Sequence, residues 1–272
     1  MDMDRRMFLQ ALAATPLVAA ALPLEGGAGT AVRLIAHRGG VVDDAHPENS
    51  PASLEAAVAA GYWMVEVDVR RTRDGYAILQ HDRTFQRAYG DPRNATDMDW
   101  SDIKQLRTIV GHSRPMRFEE LAERCKGRMR LMLDVKNEPN PPEYYRAMEK
   151  ALVRNELMGS TYILSDVETE AYFNGRLKQA ASIDALQTSI ARGEPLSRYY
   201  LFDGAEKITN EVVALARSRN VDVVGAANIF AYKGSGAMAR ARSDLKKGYD
   251  AGVRAFQIDS VFHQFFLDGF EN

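Results

Sequence analysis

Glu66 and Asp68 stand two residues apart in the largely apolar run Tyr62 to Val69. A strand repeats every two residues, so both carboxylates face the same side. If that side is a packed interior, two acids there are costly unless positive charge neutralises them. A divalent hard cation meets that need, because oxygen ligands suit magnesium, calcium or manganese. An ion pair with an arginine such as Arg38 or Arg70 would meet it too. Three more chemically able pairs end apolar runs: His37-Arg38 after Val32 to Ala36, His81-Asp82 after Tyr76 to Gln80, and Asp134 with Lys136 after Met129. Singly, each has a plainer reading, as a hydrogen-bonded histidine or an arginine's partner. Together, at the ends of four successive strands, they point to one site. His46, His112 and His263 lack a carboxylate in register and are left out, Trp63 and Trp100 read as packing residues, and Gly39-Gly40 lets the chain turn so that His37 and Arg38 can both face the site.

Strands and helices must alternate to bring these residues together. Strand patterns run over Val32 to Ala36, Tyr62 to Val69, Tyr76 to Gln80, Met129 to Val135, Tyr162 to Leu164, Ala181 to Leu186, Val221 to Ala226 and Arg254 to Ile258. Helical patterns separate most of them. Ser50 to Ala60 has a capping serine, a first-turn proline and Leu54, Ala57 and Val58 at helical spacing. Others cover Ser101 to Leu106, Phe118 to Cys125, Pro142 to Asn155, Glu168 to Lys178, Thr209 to Arg219 and Ala237 to Ala251. Such alternation implies an α/β fold, a closed parallel (β/α)8 TIM-type barrel in a single domain, whose chemistry sits at the C-terminal strand ends. Arg83 to Thr96 reads as a polar excursion. Gln187 to Lys207 is the least legible stretch, and its knot Tyr199-Tyr200-Leu201-Phe202 is the only candidate for an apolar lip.

Charge excludes some functions. Lys plus Arg is 35 against 37 Asp plus Glu, so no basic excess points to nucleic acid. Cys125 is the only cysteine, which excludes an intramolecular disulfide and a cysteine-based zinc site. Residues 1–29 differ from the rest. Arg5-Arg6 precedes a mildly apolar, alanine-rich stretch broken by Gln10, Thr15 and Pro16, then small residues through Gly26-Gly27-Ala28-Gly29. This order resembles a twin-arginine signal peptide, ahead of a barrel domain over 30–272. It is too short and interrupted for a spanning helix, which needs about 20 predominantly apolar residues. The expectation is export by the twin-arginine machinery, a periplasmic or secreted mature protein and no stable membrane anchor.

The motifs His37-Arg38-Gly39, Pro47-Glu48-Asn49-Ser50, Glu66-Val67-Asp68-Val69 and His81-Asp82 resemble, in order and spacing, the glycerophosphodiester phosphodiesterase family. The likeness continues through Arg117 to Leu121 and Leu131 to Lys136, and ends at Gly252 to Asp259. It implies a barrel that hydrolyses small phosphodiesters with one divalent cation, Mg2+ or Ca2+. By position, Glu66, Asp68 and Asp134 would ligate the metal, Asp134 standing where the family usually has glutamate. His37 and His81 would be the acid–base pair. Arg38 and Lys136 would clamp the phosphate, while Glu48 and Asn49 would bind substrate and support the site. Attack would come from water or from a neighbouring glycerol hydroxyl. Gly225-Ala226-Ala227-Asn228 replaces a tryptophan-threonine-type segment that often lines the family's pocket. The implied products are an alcohol and sn-glycerol 3-phosphate; a lysophospholipase D-like activity or a non-catalytic phosphodiester-binding protein are the alternatives.

Overall fold

The computed structural model describes residues 31–136, 139–164 and 167–270; the signal segment expected over 1–29 lies outside the described residues. Nine strands form one sheet: β1 (Arg33–Ala36), β2 (Met64–Arg71), β3 (Ala77–Leu79), β4 (Arg130–Val135), β5 (Thr161–Ile163), β6 (Lys178–Ala181), β7 (Tyr199–Gly204), β8 (Asp222–Ala227) and β9 (Ala255–Ile258). All pair in parallel except β3, which runs antiparallel to β2. β1 pairs with both β9 and β2, so the eight parallel strands close into a barrel. The larger helices are α1 (Pro51–Ala59), α4 (Phe118–Cys125), α5 (Pro142–Arg154), α6 (Val167–Phe173), α7 (Ile183–Ala191), α8 (Asn210–Ser218) and α9 (Ala237–Asp250); α2 (Gln86–Tyr89) and α3 (Trp100–Ile103) are single turns between β3 and α4.

Period-two alternation builds two cores. On β2, Val65, Val67 and Val69 face the helices and are fully buried, as are Leu131 and Leu133 on β4. Met64 and Met132 face inward and join Ile35, Tyr162, Tyr200, Val224 and Ala255 in a plug that fills the barrel. α4 meets the outer layer through Phe118, Leu121, Ala122 and Cys125, a helical stripe. α1 starts as its sequence predicts: the Ser50 side chain accepts from the Ser53 amide in a capping box, with Pro51 in the first turn.

The count of eight barrel strands agrees with the sequence reading, but three strand assignments change. The expected third barrel strand is β3, a hairpin return against the upper half of β2: Val69 pairs with Leu79 and Arg71 with Ala77. The tight turn Arg73-Asp74-Gly75 allows only this antiparallel connection. The missing barrel strand is β7, from the stretch that resisted reading. Tyr200 faces the barrel interior and Leu201 the helices, both fully buried, so β7 has no polar alternation to betray it. Tyr200 and Leu201 of its aromatic knot are therefore core, and Phe202 is half-buried against Tyr200. The strand expected over Ala181 to Leu186 is instead β6 followed by α7, because the Ser182 side chain caps Ala185 and starts a helix. α6 ends early where Asn174 and Gly175 take positive φ, which frees Lys178 to open β6.

The inner plug sets the floor under the site. Tyr200 is fully buried, stacks on Tyr162 with ring centroids 4.4 Å apart, and donates to the Ile163 carbonyl at 3.1 Å. Tyr200→Phe should lower unfolding free energy by about 1 kcal/mol and Tyr200→Ala by about 3–5 kcal/mol. Urea midpoints at unchanged m-value measure both.

Candidate active site

Glu66, Asp68 and Asp134 converge at the C-terminal mouth of the barrel. Asp68 and Asp134 are register partners on adjacent parallel strands, and Glu66 lies one inward step below Asp68. Each offers a carboxylate oxygen, and these oxygens lie within 4.8 Å of one another. Glu66 and Asp68 are buried. Some positive charge is already there: Lys136 Nζ is 2.6 Å from both Asp68 Oδ1 and Asp134 Oδ2. Protein donors complete the acids. The Arg38 amide donates to Glu66 Oε2 at 2.8 Å, and Asn49 Nδ2 donates to Asp68 Oδ2 at 2.8 Å. The Asn49 carbonyl oxygen in turn accepts from the Asp68 amide. Asn49 is thus bound to Asp68 at both ends of its amide and acts here as a brace.

The two candidate histidines flank the acids in different settings. His37 follows β1 directly and Asp259 follows β9. Ala36 pairs with Ile258, so barrel closure sets the two side by side. His37 Nδ1 donates to Asp259 Oδ1 at 2.9 Å, and Asp259 Oδ2 accepts from the Ile229 amide. The other imidazole nitrogen of His37, Nε2, is 3.9 Å from Glu66 Oε2. His81 arrives from the opposite direction: β3 runs back down from beyond the rim and delivers it beside Arg38, whose Nη2 is 3.1 Å from His81 Nε2. His81 Nδ1 donates to Asp82 Oδ1 at 2.7 Å. Arg70 donates twice to the His81 carbonyl. Glu48 Oε2 accepts from Arg38 Nη1 at 3.1 Å. Sequence reading gave no role to Asp259, named Asp82 only beside His81, and offered Arg70 only as a counter-charge for the inward acids, whereas it binds the His81 carbonyl. Asp259 was visible only as an acid ending the last strand, as His37 ends the first.

The Gly39-Gly40 turn makes this crowding possible. Arg38 is left-handed at φ 56°, and Gly39 and Gly40 follow at φ 88° and 142°. A Cβ on Gly39 would lie 2.6 Å from the Asn49 backbone, and one on Gly40 only 2.0 Å from the Ser53 carbonyl oxygen. The glycines therefore let the loop after β1 lie flat on the start of α1, beyond the turning role expected of them. The replaced pocket segment also has a spatial reason. A side chain at Gly225 would press on Phe256 and Ala205, so this position packs outward and leaves the mouth to Ala226 and Asn228.

The electrostatics suit a cation. Burial first, then the charge of Asp68, pushes the Glu66 carboxyl up to about 8 when only protein charges are present. His37 is raised as well: burial opposes its charge, but the bond to Asp259 and the nearby Glu66 outweigh it. Three convergent carboxylates, two buried, form an all-oxygen set of the kind that hard divalent ions take. The residues present therefore fit one such ion.

The model of the glycerophosphoryl diester phosphodiesterase family matches residues 37–224, which include each of these groups except Asp259. The chain belongs to that family. Among named relatives, a probable glycerophosphodiester phosphodiesterase 2 of Mycobacterium tuberculosis is 33% identical over 120 residues, 41% of this chain and 44% of the relative. Glycerophosphodiester phosphodiesterase 1 of Homo sapiens is 31% identical over 114 residues, 39% of this chain and 34% of the relative. The chain thus spans less than half the length of these curated relatives. A glycerophosphoryl diester phosphodiesterase structure from Parabacteroides distasonis superposes with a TM-score of 0.71 at 20% identity, covering 89% of this chain and 88% of that one. An Oleispira antarctica phosphodiesterase solved in complex with the product sn-glycerol-3-phosphate gives 0.63 at 18% identity, over 84% and 92%. These structures share the barrel of the family.

A pH dependence of stability follows. With Glu66 near 8 when folded and about 4.3 when unfolded, the native state holds the extra proton between those values. Metal-free stability should therefore fall as pH rises from about 5 to 8. His37, also raised, adds stability below its unfolded value that is lost as pH rises through its folded one. Urea titrations in chelator should show the falling slope. A saturating divalent ion, or Glu66→Gln, should flatten most of it.

Proposed function

We propose that this protein is a metal-dependent glycerophosphodiester phosphodiesterase that adds water across one phosphoester bond and releases an alcohol and sn-glycerol 3-phosphate. The observation that carries the reading is the meeting of three carboxylates, two imidazoles and two cationic side chains at one barrel mouth. The family membership and the product named in the Oleispira structure support it. Glu66, Asp68 and Asp134 would hold one divalent ion, magnesium or calcium. When bound, that ion supplies Lewis-acid stabilisation of charge on the non-bridging phosphate oxygens.

The chain's own groups account for the remaining demands. Arg38 is suited to the phosphate because its Nε is buried without a hydrogen-bond partner, a costly state that a ligand oxygen relieves. Lys136, once relieved of neutralising Asp68 and Asp134, offers its ammonium to the same anion. His37 and His81 serve as the acid–base pair, each oriented through Nδ1 by a carboxylate so that Nε2 is the reactive nitrogen. Glu48 and Asn49 act by holding Arg38 and Asp68. A second reading, cleavage of a lysophospholipid, is favoured by Phe230, whose side chain is 60% exposed with its ring 6.3 Å from that of His37.

Product release from glycerophosphodiesters, lysophospholipids and a chromogenic phosphodiester tests these readings together. His37→Ala and His81→Ala should each lower kcat by about 10²–10⁴-fold. Excess chelator should abolish turnover and a divalent ion restore it. Full activity in chelator would reject the metal. Tight binding without product would mark a binding protein instead.

We also infer export through the twin-arginine machinery to the periplasm or medium, on the Arg5-Arg6 motif and the weakly apolar stretch after it. Among the described residues no helix is long and apolar enough to cross a membrane. In a bacterial host, Arg5→Lys with Arg6→Lys should leave the precursor in the cytoplasmic fraction. Unchanged export of that variant would reject the route.

A further inference from the structure

Five side chains at the mouth close into a ring. Arg38 Nη2 meets His81 Nε2 at 3.1 Å, and His81 Nδ1 meets Asp82 Oδ1 at 2.7 Å. Asp82 Oδ2 accepts from Arg87 Nε at 2.5 Å. Arg87 then grips both oxygens of Glu48, Nη2 to Oε1 at 2.5 Å and Nη1 to Oε2 at 3.2 Å. Glu48 Oε2 returns to Arg38 Nη1 at 3.1 Å. Arg87 meets neither an imidazole nor the metal-site acids in these bonds, yet it holds both carboxylates of the ring.

The donor inventory fixes what the ring does to His81. A guanidinium nitrogen can only donate, so His81 Nε2 must accept with its lone pair. The proton is then on Nδ1, where Asp82 takes it. Arg38 on one side and Asp82 on the other thus select one tautomer, with the Nε2 lone pair turned toward Arg38. That selection holds only while Asp82 keeps its orientation. Its side chain is 29% exposed, so water would compete for it if Arg87 let go. Bonds from His81 and Arg87, acting against burial, hold its carboxyl well below the usual carboxylate range.

Arg87 is itself built to stay. It sits on α2, in the excursion between β3 and α4, which has its own small core of Ile78, Phe85, Ala95, Met98 and Ile103. Phe85 and Tyr89 bracket α2 edge to face at 5.5 Å. The Phe85 amide bonds back to the Arg93 carbonyl, and the Tyr89 amide to that of Phe85. The excursion therefore has a purpose beyond joining β3 to α4: it carries one guanidinium back over the mouth. We propose that Arg87 is a positioning residue for the reaction, clamping Asp82 and Glu48 so that His81 is held as its Nδ1–H tautomer and Arg38 is held beside it.

The kinetic part rests on the acid–base reading above; the tautomer part does not. Imidazole nitrogen NMR on the full chain should show His81 as the Nδ1–H tautomer in the wild type and a mixture in Arg87→Gln. With turnover, Arg87→Gln should lose about 10–100-fold in kcat, the usual range for a group orienting a catalytic one, with KM within about threefold. Arg87→Lys, which keeps the charge but cannot fork across two carboxylates, should fall between the two. Asp82→Asn combined with Arg87→Gln should be no worse than the poorer single variant. An unchanged His81 tautomer in folded Arg87→Gln, or in Arg87→Lys should the former not fold, would overturn the proposal. So would a raised KM at unchanged kcat, which would mean that Arg87 binds substrate directly. If the wild type turns over none of the phosphodiesters, the functional reading fails, and the NMR comparison still decides the positioning role.

Discussion

Acids crowded at a low-dielectric barrel mouth are the constraint around which the rest is arranged. Glu66 and Asp68 are each about 1% exposed, and Asp134 is their close neighbour. A buried carboxylate is tolerated only with bonds and opposite charge to meet it. The surroundings supply these from several directions: the Arg38 amide to Glu66, the Asn49 amide to Asp68, and Lys136 between Asp68 and Asp134. Even so Glu66 is held well above its ordinary range. The protein alone leaves a deficit of positive charge where a hard cation would sit, above the packed inner plug of Met64, Met132 and Tyr200.

The acids were legible in the sequence because strand periodicity is local. Two carboxylates separated by one valine inside an apolar run need only the pleat to place them on one face. Asp134 and Lys136 were legible for the same reason. The His37–Asp259 pair was not, since its members are 222 residues apart and meet only because β1 closes on β9. Local pattern carries no information on closure register. β7 was missed for a related reason: a strand buried on both faces looks like any apolar run. β3 was misplaced because an apolar run of three or four residues does not reveal whether it continues the barrel or folds back against the strand before it.

That last difference changes how the site is understood. Had Tyr76 to Gln80 been a barrel strand, His81 would project upward from the rim like His37. As a return strand it brings His81 down toward the rim, beside Arg38, whose amide binds Glu66. The two imidazoles therefore reach the same space along opposed chain directions. One is anchored in the barrel wall by Asp259, the other in the excursion by Asp82. This explains why their partners differ. His37 lies between two carboxylates, which favour its charged form, whereas His81 lies between a carboxylate at Nδ1 and a guanidinium at Nε2, which fix where its ring proton sits.

The same asymmetry runs around the mouth. Inward positions near the C-terminal ends of β1, β2, β4 and β9 lead to His37, Glu66, Asp68, Asp134 and Asp259. Those of β5 to β8 carry Leu164, Ala180, Phe202 and Ala226. The ionic half can hold a phosphate, and the other half offers no charged side chain at those positions to hold a second polar group. Ala226, with Gly225 packed outward, leaves space there that a bulkier segment would fill, and Phe230 stands exposed at its edge beside His37. If the site cleaves a phosphodiester as proposed, the leaving alcohol would lie against this apolar half. Burial of apolar surface and the aromatic edge would then govern which alcohol is accepted, while the charge of the phosphate governs where the ester bond is held.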